Sequence, residues 1–444
     1  MTKVRFAPSP TGYLHIGNVR TALVNWLFTK KLGGEFLLRS DDTDEERSTK
    51  DYEEAIFEDM KWLGLKWDSF ARQSDRYDRY ELAKQKLIAA GRLYPCYETQ
   101  EELETKRKFQ LSSGKPPIYD RAALKLNEED KAKLEAEGRA PHWRFKLVPG
   151  KITWEDLVRG ASSFDADHLG DPILLREDGK PTYTMSSVVD DAELGITHII
   201  RGEDHVTNSA VQIQLFEALG AKPPQMAHLA LIKTAEGGMS KRDGGFDVRG
   251  LKAKGIEAMS ICSLLARLGT SAPVEPRTAL AELVEHFDIK HFGRAPANYD
   301  EKELWRLNGK IVSQFAFADV QPRLAEMGLN GVDEAFWLTV RSNIQCLPEV
   351  AEWWQVCRQP LTPVIADAGF TAQAAELLPA NDWNQQTWKE WTQSLAQSTG
   401  RKGKELFMPL RLALTGREHG PELGNMLPMI GRDKVVRRLK GEAA

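Results

Sequence analysis

Three short stretches hold residue types whose spacing could do chemistry. Near the N-terminus, Arg5-Phe6-Ala7-Pro8-Ser9-Pro10-Thr11-Gly12-Tyr13-Leu14-His15-Ile16-Gly17-Asn18 runs from a short apolar strand through a Pro/Gly turn into a His-x-Gly step that opens a helix. Backbone N–H groups at such an opening carry partial positive charge, so a triphosphate is stabilised there without any side chain. Gly17 lets a nucleotide approach the backbone, and His15 can donate to a phosphate oxygen. Alone, the step reads more simply as a capped helix with a half-exposed histidine. Far downstream, Met239-Ser240-Lys241-Arg242 lies between Gly237-Gly238 and Gly244-Gly245. Glycines permit the rearrangement of such a loop, and Lys241 and Arg242 can follow charge building on a departing pyrophosphate. Alone, it is a solvated charged turn. Between them, Asp41-Asp42-Thr43-Asp44 is either an ammonium site or a helix N-cap cluster. In this order, the three together imply ATP-driven activation of a carboxylate.

The surrounding pattern must position these residues. Val4–Ala7 reads as a buried strand. Ile16, Val19, Leu23, Trp26 and Leu27 fall at helical spacing, and Gly33-Gly34 ends that helix. Phe36-Leu37-Leu38 is a second strand, so residues 4–38 form a βαβ unit with parallel strands. Ligands of such sheets bind at the carboxyl ends of the strands, which puts Ala7–Gly12 and Arg39–Asp44 on one edge. A second helix carries Tyr52, Ile56, Met60 and Leu63 on one face. Residues 98–140, dense in Glu, Lys and Arg, suggest an insertion of solvent-exposed helices. Residues 152–191 are rich in β-branched residues and turns, ending in Thr182-Tyr183-Thr184 and Val188-Val189-Asp190-Asp191. Gly195–Gly202 reads as a further parallel strand, followed by a helix capped near Thr207/Asn208 and ending at Gly220. From about residue 300 the pattern is nearly all helical and holds seven of the twelve tryptophans, expected in the core.

A chain of 444 residues exceeds one ordinary core and predicts several domains. The net charge of -4 means that a nucleic acid must be held by local basic patches, because the field of the whole molecule does not attract it. The N-terminus lacks a signal-peptide core, and no apolar run approaches bilayer length. The four scattered cysteines form no C-x-x-C pair and suggest a reducing, cytoplasmic setting.

The sequence resembles the class I aminoacyl-tRNA synthetases and, among them, the glutamyl-tRNA synthetases. His15-Ile16-Gly17-Asn18 matches the "HIGH" signature, and Gly238–Arg242 matches the "KMSKS"-type loop. Further matching blocks are Leu38–Asp44, Pro181-Thr182-Tyr183, Val188–Asp191, Ile199–Asp204 and Leu406–Arg411. The resemblance implies an α/β fold: a Rossmann-type parallel sheet split by an α+β insertion, then an all-α anticodon-binding region. Residues 1–78 with 183–236 would be the catalytic domain, and 79–182 the insertion that grips the tRNA acceptor end. Residues 237–308 would contact the stem, and 309–444 would bind the anticodon. The implied reaction joins L-glutamate to ATP as glutamyl-adenylate, then transfers it to the 2′-OH of the terminal ribose of tRNA-Glu, tRNA-Gln or both. Mg²⁺ would bridge the phosphates, and the family default is a monomer that needs bound tRNA for the first step. His15, Lys241 and Arg242 would be catalytic. Pro8, Gly12, His15, Gly17, Asn18, Met239, Ser240 and Lys241 would bind ATP. Arg5, Ala7, Ser9, Asp41, Tyr183, Ser187 and Arg201 would bind glutamate: Arg5 and Arg201 on the side-chain carboxylate, Ser9 and Asp41 on the ammonium. The alternatives are a glutamyl-queuosine tRNA-Asp synthetase-like enzyme and a non-catalytic RNA-binding paralogue.

Several positions depart from the family pattern. Gly238 replaces the first lysine of the mobile loop, Asp41 stands where many relatives have Glu, and Ser187 where some have Asn. These fit a divergent second-copy bacterial subgroup, members of which can prefer tRNA-Gln. Some relatives hold zinc in the insertion through a Cys-x-Cys pair and a later Cys/His. Cys96-Tyr97-Glu98 offers one thiol, so no zinc is expected. Basic residues in 401–440, including Arg401, Lys402, Lys404, Arg411, Arg417, Arg432, Lys434, Arg437 and Arg438, are either phosphate contacts or an ordinary helical face.

Overall fold

The computed structural model describes residues 1–234, 237–238, 247–380 and 383–444. Met239, Ser240, Lys241 and Arg242 lie outside the described residues. The chain divides into two compact units, one formed by Met1–Leu251 with Ile261–Asp300, the other by Lys252–Ser260 with Glu301–Ala444.

In the first unit, β1 (Lys3–Phe6), α1 (Ile16–Lys31) and β2 (Glu35–Ser40) form the expected βαβ unit. The strands are parallel, with Val4 opposite Phe36. Gly33 closes the helix at φ +62, a left-handed conformation that costs glycine little. α2 (Lys50–Trp62) then leads to β3 (Ser69–Arg72), parallel to β2.

The chain next builds α3 (Tyr77–Ala89), β4 (Leu93–Cys96), α4 (Gln100–Ser112), α5 (Glu128–Ala136) and β5 (His142–Phe145). α4 and α5 bury no residue, as their charge-rich sequence predicts. β6 (Lys151–Asp156), β7 (Gly160–Asp165) and β8 (Ile173–Leu175) follow; β8 joins β4 and β5 in an antiparallel sheet.

After β8 the chain turns helical despite its β-branched residues. The β-branched stretch ending in Val188-Val189-Asp190-Asp191 is a helix, α6 (Tyr183–Glu193). Met185, Val188 and Val189 are all buried in the first unit's core. That burial outweighs a local preference worth about 1 kcal/mol at most.

β9 (His198–Gly202), α7 (Val206–Ala218) and β10 (Gln225–Leu229) complete the site-bearing layer. α7 starts just ahead of the expected Thr207/Asn208 cap. The second sheet has the order β7-β6-β10-β9, with β9 and β10 parallel. It is tied to the first sheet through Thr197, whose N–H donates to the Lys3 carbonyl (2.9 Å) while its hydroxyl accepts from Lys3 N–H (2.8 Å). The short β11 (Ile232–Thr234) pairs with β12 (Gly237–Gly238) and with β13 (Ala297–Tyr299).

The second unit is helical from Glu301–Val312 to Arg432–Leu439. Its core holds Trp337, Trp353 and Trp391, as expected of the tryptophans. The basic tail is partly spent inside this unit. Arg438 is fully buried and donates to the carbonyls of Ala444, Leu414 and Gln359. Arg401 pairs with Asp367, Arg417 with Glu352, and Lys434 with the carbonyls of Cys357 and Arg358. No helix among the described residues is long and apolar enough to cross a membrane.

Candidate active site

His15 is the N-cap of α1. Its Nδ1 accepts from Gly17 N–H (3.1 Å), and Asn18 Oδ1 accepts from His15 N–H (3.4 Å). The cap and the phosphate donor proposed for His15 are thus compatible roles of one ring. With Nδ1 accepting, the proton of the neutral imidazole sits on Nε2. Gly17 N–H is used by the cap, so it is not an open phosphate donor. The first residue after the undescribed basic loop, Asp247, forms a backbone bridge with His15. Val248 N–H donates to the Leu14 carbonyl (3.0 Å). Asp247 and Val248 therefore lie beside the His15 step.

The turn and the acidic run meet as the βαβ geometry demands. Asp41 N–H donates to the Pro8 carbonyl and Thr49 N–H to the Pro10 carbonyl, each at 3.0 Å. Ala7, Ser9 and Gly12 lie on this same turn, where a Cβ at Gly12 would meet nothing within 4 Å.

Beneath it lies a buried charge cluster centred on a residue that sequence reasoning missed, Arg39. This guanidinium is wholly buried. Its Nε and Nη2 donate to Asp41 Oδ1 (2.6 Å) and Oδ2 (3.1 Å), and its Nη1 to Asp191 Oδ1 (2.7 Å). Arg5 Nε donates to both Asp191 oxygens, at 3.1 and 3.2 Å. Asp190 accepts from Gln73, Arg76 and Tyr80. Burial works against ionising Asp191, but the charges of Arg5 and Arg39 outweigh it and hold the carboxyl below the usual range. At Asp41 burial wins over Arg39 and pushes the carboxyl up to about 6.

Two of the residues expected at the glutamate site already have partners within the protein. Both oxygens of Asp41 already accept from Arg39, so an ammonium group would meet their remaining lone pairs. Ser187 is buried behind the same arginine, with Oγ 3.4 Å from Arg39 Nη2. An arginine at the end of the apolar run Phe36-Leu37-Leu38, and twin aspartates after Val188-Val189, were the sequence signals for a buried ion pair.

Arg201 is also buried, at the end of β9. Its Nη1 donates to Tyr183 OH (3.1 Å), and its Nη2 donates to Ser209 Oγ and Gln212 Oε1 (2.6 Å each). Its Nε is buried without a hydrogen-bond partner. Tyr183, half-exposed, packs against the His205 ring at 5.5 Å between centroids. Burial, with the Arg5 charge adding to it, holds the Arg201 guanidinium below its usual pKa. Arg5 and Arg201 thus act in one electrostatic neighbourhood, but only Arg5 has a carboxylate partner.

In the insertion, Cys96 lies opposite His142 in the β4–β5 register. Tyr119 OH lies 3.7 Å from Cys96 Sγ and donates to Glu98 (2.8 Å), and Arg144 stacks over the Tyr119 ring at 4.1 Å. Burial pushes the Cys96 thiol up to about 12 and His142 down to about 4. Among the described residues, no three His, Cys, Asp or Glu side chains gather as a metal would need.

A parallel sheet whose carboxyl edge carries a capped His-x-Gly helix start and buried arginines agrees with the family comparison. Residues 1–306 match the family described as "tRNA synthetases class I (E and Q), catalytic domain", and residues 338–442 match "Anticodon binding domain". The chain belongs to the class I tRNA synthetases of the E and Q type. Its relatives include "Glutamate--tRNA ligase 1" of Maricaulis maris, 53% identical with all of both chains covered. "Glutamate--tRNA ligase" of Azospirillum brasilense is 54% identical over 99% of each chain, and "Glutamate--tRNA ligase 2" of Methylobacterium sp. is equally similar. The crystal structure of a glutamate tRNA ligase from Elizabethkingia meningosepticum in complex with its amino acid superposes with a TM-score of 0.83 at 29% identity, covering 99% of this chain and 98% of that one.

Proposed function

We propose that this chain is a glutamate–tRNA ligase that activates L-glutamate with ATP and transfers it to tRNA. The observation that carries the substrate assignment is Arg201: a buried guanidinium held by three neutral acceptors, its charge not cancelled by any carboxylate hydrogen-bonded to it. A glutamate side chain brings the missing negative charge, and glutamine does not. Tyr183 and Arg5 flank that position. Ser9, with the outer lone pairs of Asp41, takes the ammonium, and Ala7 lines the floor.

No nucleophilic side chain is needed. The substrate α-carboxylate attacks the α-phosphorus of ATP, the bond to the β-phosphate breaks, and pyrophosphate leaves. The terminal ribose hydroxyl of tRNA then takes the acyl group and releases AMP. Catalysis is positioning and charge stabilisation: His15 and the α1 dipole act on the phosphates, with further positive charge from Lys241 and Arg242. Pro8, Gly12, Gly17, Asn18, Met239 and Ser240 complete the ATP site. Mg²⁺ bound with the triphosphate would offset charge on its phosphates.

The insertion (residues 79–182) would hold the acceptor end, and residues 309–444 the anticodon, on a cytoplasmic monomer. The test is ATP–pyrophosphate exchange with glutamate, with and without tRNA, followed by charging of purified tRNA-Glu and tRNA-Gln side by side. Exchange supported by Gln and not Glu overturns the substrate assignment. Absence of exchange under both conditions leaves an RNA-binding paralogue. The charging assay decides between tRNA-Glu, tRNA-Gln and both; the departures at Gly238, Asp41 and Ser187 fit a second-copy subgroup, members of which can prefer tRNA-Gln.

A further inference from the structure

Behind Arg201, a line of three buried side chains ends in a carboxylate. Arg201 Nη2 donates to Ser209 Oγ (2.6 Å), Ser209 Oγ lies 2.8 Å from His228 Nε2, and His228 Nδ1 lies 2.5 Å from Asp156 Oδ2. Ser209 stands on α7, His228 on β10 and Asp156 at the end of β6, and all three are buried. Asp156 is itself immobilised. Its Oδ1 accepts from the N–H groups of Val158 (3.0 Å), Arg159 (2.9 Å) and His228 (3.2 Å), leaving Oδ2 for the imidazole.

These contacts set the direction of every proton. Asp156 Oδ2 accepts from His228 Nδ1–H, so Nε2 carries the lone pair and accepts the Ser209 hydroxyl proton at 2.8 Å, a shorter contact than the alternative acceptor, the His205 carbonyl at 3.3 Å. The Ser209 oxygen then turns its own lone pairs to Arg201. Burial holds the His228 ring below its usual pKa against the pull of Asp156, with the Arg201 charge acting in the same direction as burial. Asp156 stays ionised, because His228 and the backbone amides outweigh its burial.

The Asp–His–Ser order is that of a hydrolase triad. Here a guanidinium occupies the hydroxyl's open side, and the oxygen is sealed from solvent. The serine cannot attack anything; the line can only hold. A carboxylate placed directly on Arg201 would hold it more strongly, but would also cancel the charge that an acidic substrate must find. Neutral acceptors fix the geometry and leave the charge intact, with the Asp156 carboxylate kept three hydrogen bonds away.

Resting on the placement of the glutamate side-chain carboxylate at Arg201, we propose that Asp156, His228 and Ser209, with Gln212, form a positioning relay that reserves the Arg201 charge for the substrate and so sets the preference for glutamate over glutamine. None of the four touches the substrate.

The test measures KM for glutamate and for ATP, kcat, and the Glu/Gln ratio of kcat/KM by pyrophosphate exchange in the full chain, with tRNA present. Ser209→Ala removes a buried hydroxyl without adding volume. It raises KM for glutamate about tenfold, the worth of one hydrogen bond to a charged group, and lowers the Glu/Gln ratio by a similar factor. KM for ATP and kcat stay within about twofold. In the Arg201→Ala background, Ser209→Ala has no further effect on either number, because it acts through that arginine. Gln212→Glu puts a carboxylate directly on Nη2. It keeps the fold and lowers the Glu/Gln ratio, where a merely structural role would leave the ratio unchanged. An unchanged ratio in both Ser209→Ala and Gln212→Glu, or an additive loss in the double variant, overturns the relay while Arg201→Ala still shows its own effect. If Arg201→Ala itself changes neither KM nor the ratio, the placement of the carboxylate is wrong and the relay falls with it.

Discussion

Asp191 is the carboxylate on which the buried cluster turns, and its removal has a cost that the geometry sets. It accepts from Arg5 Nε at 3.1 Å and from Arg39 Nη1 at 2.7 Å, with almost no solvent access. Asp191→Ala leaves Arg5 without a carboxylate and Arg39 short of one, both still buried. Breaking a buried pair in this way costs about 3–5 kcal/mol. For a unit of this size that lowers the melting temperature by roughly 6–20 °C. Asp191→Asn keeps one acceptor and the shape, and so costs about 1.5–3 kcal/mol. The pH dependence has a definite sign. The folded carboxyl lies below its unfolded value, so its stabilisation is complete above about pH 4 and is lost as pH falls through the folded pKa. The gap between wild type and Asp191→Asn therefore closes in acid. The cluster also aims Arg5, so KM for glutamate rises in both variants while KM for ATP does not. Calorimetry between pH 3 and 8, with pyrophosphate exchange at pH 7, reads both effects. A melting temperature within 2 °C of wild type for Asp191→Ala, with unchanged KM, refutes the assignment of Asp191 as the keystone.

Asp41, raised to about 6, makes an acid limb: kcat/KM for glutamate falls about tenfold per unit below about pH 6 as the carboxylate that Arg39 and the ammonium share is protonated. Asp41→Asn flattens that limb at lower activity, and a wild-type profile flat between pH 5 and 7 contradicts the role. Lys241→Ala lowers the adenylation rate by orders of magnitude, about 10²–10³ for one charge-stabilising donor, with glutamate affinity near normal in equilibrium dialysis. Gly420 sits at φ +147, and a Cβ there would overlap the Trp353 indole, so Gly420→Ala destabilises the second unit by about 1–3 kcal/mol, seen as a lower urea midpoint for that unit's transition.

The strand–helix–strand order of residues 3–40, the solvent-exposed helices of the insertion and the tryptophan-rich helical second unit were all legible in the sequence. Each is written by local periodicity and by caps such as His15 and Gly33, which act within a few residues. The edge of the site was legible too, because a right-handed βαβ crossover leaves one place for Ala7–Gly12 beside Asp41. What only the folded chain decided is where charge ends up. Arg39 finds Asp191 across 152 positions, and His228 finds Asp156 across 72. Val188 and Val189 enter a helix because the core receives them, against their local preference. Arg438, one of a basic run suited to phosphates, turns inward to three carbonyls. The physical reason is range. Propensity and capping are short-range and can be read along a line, whereas burying an ion is tolerable only beside a partner that the line does not name.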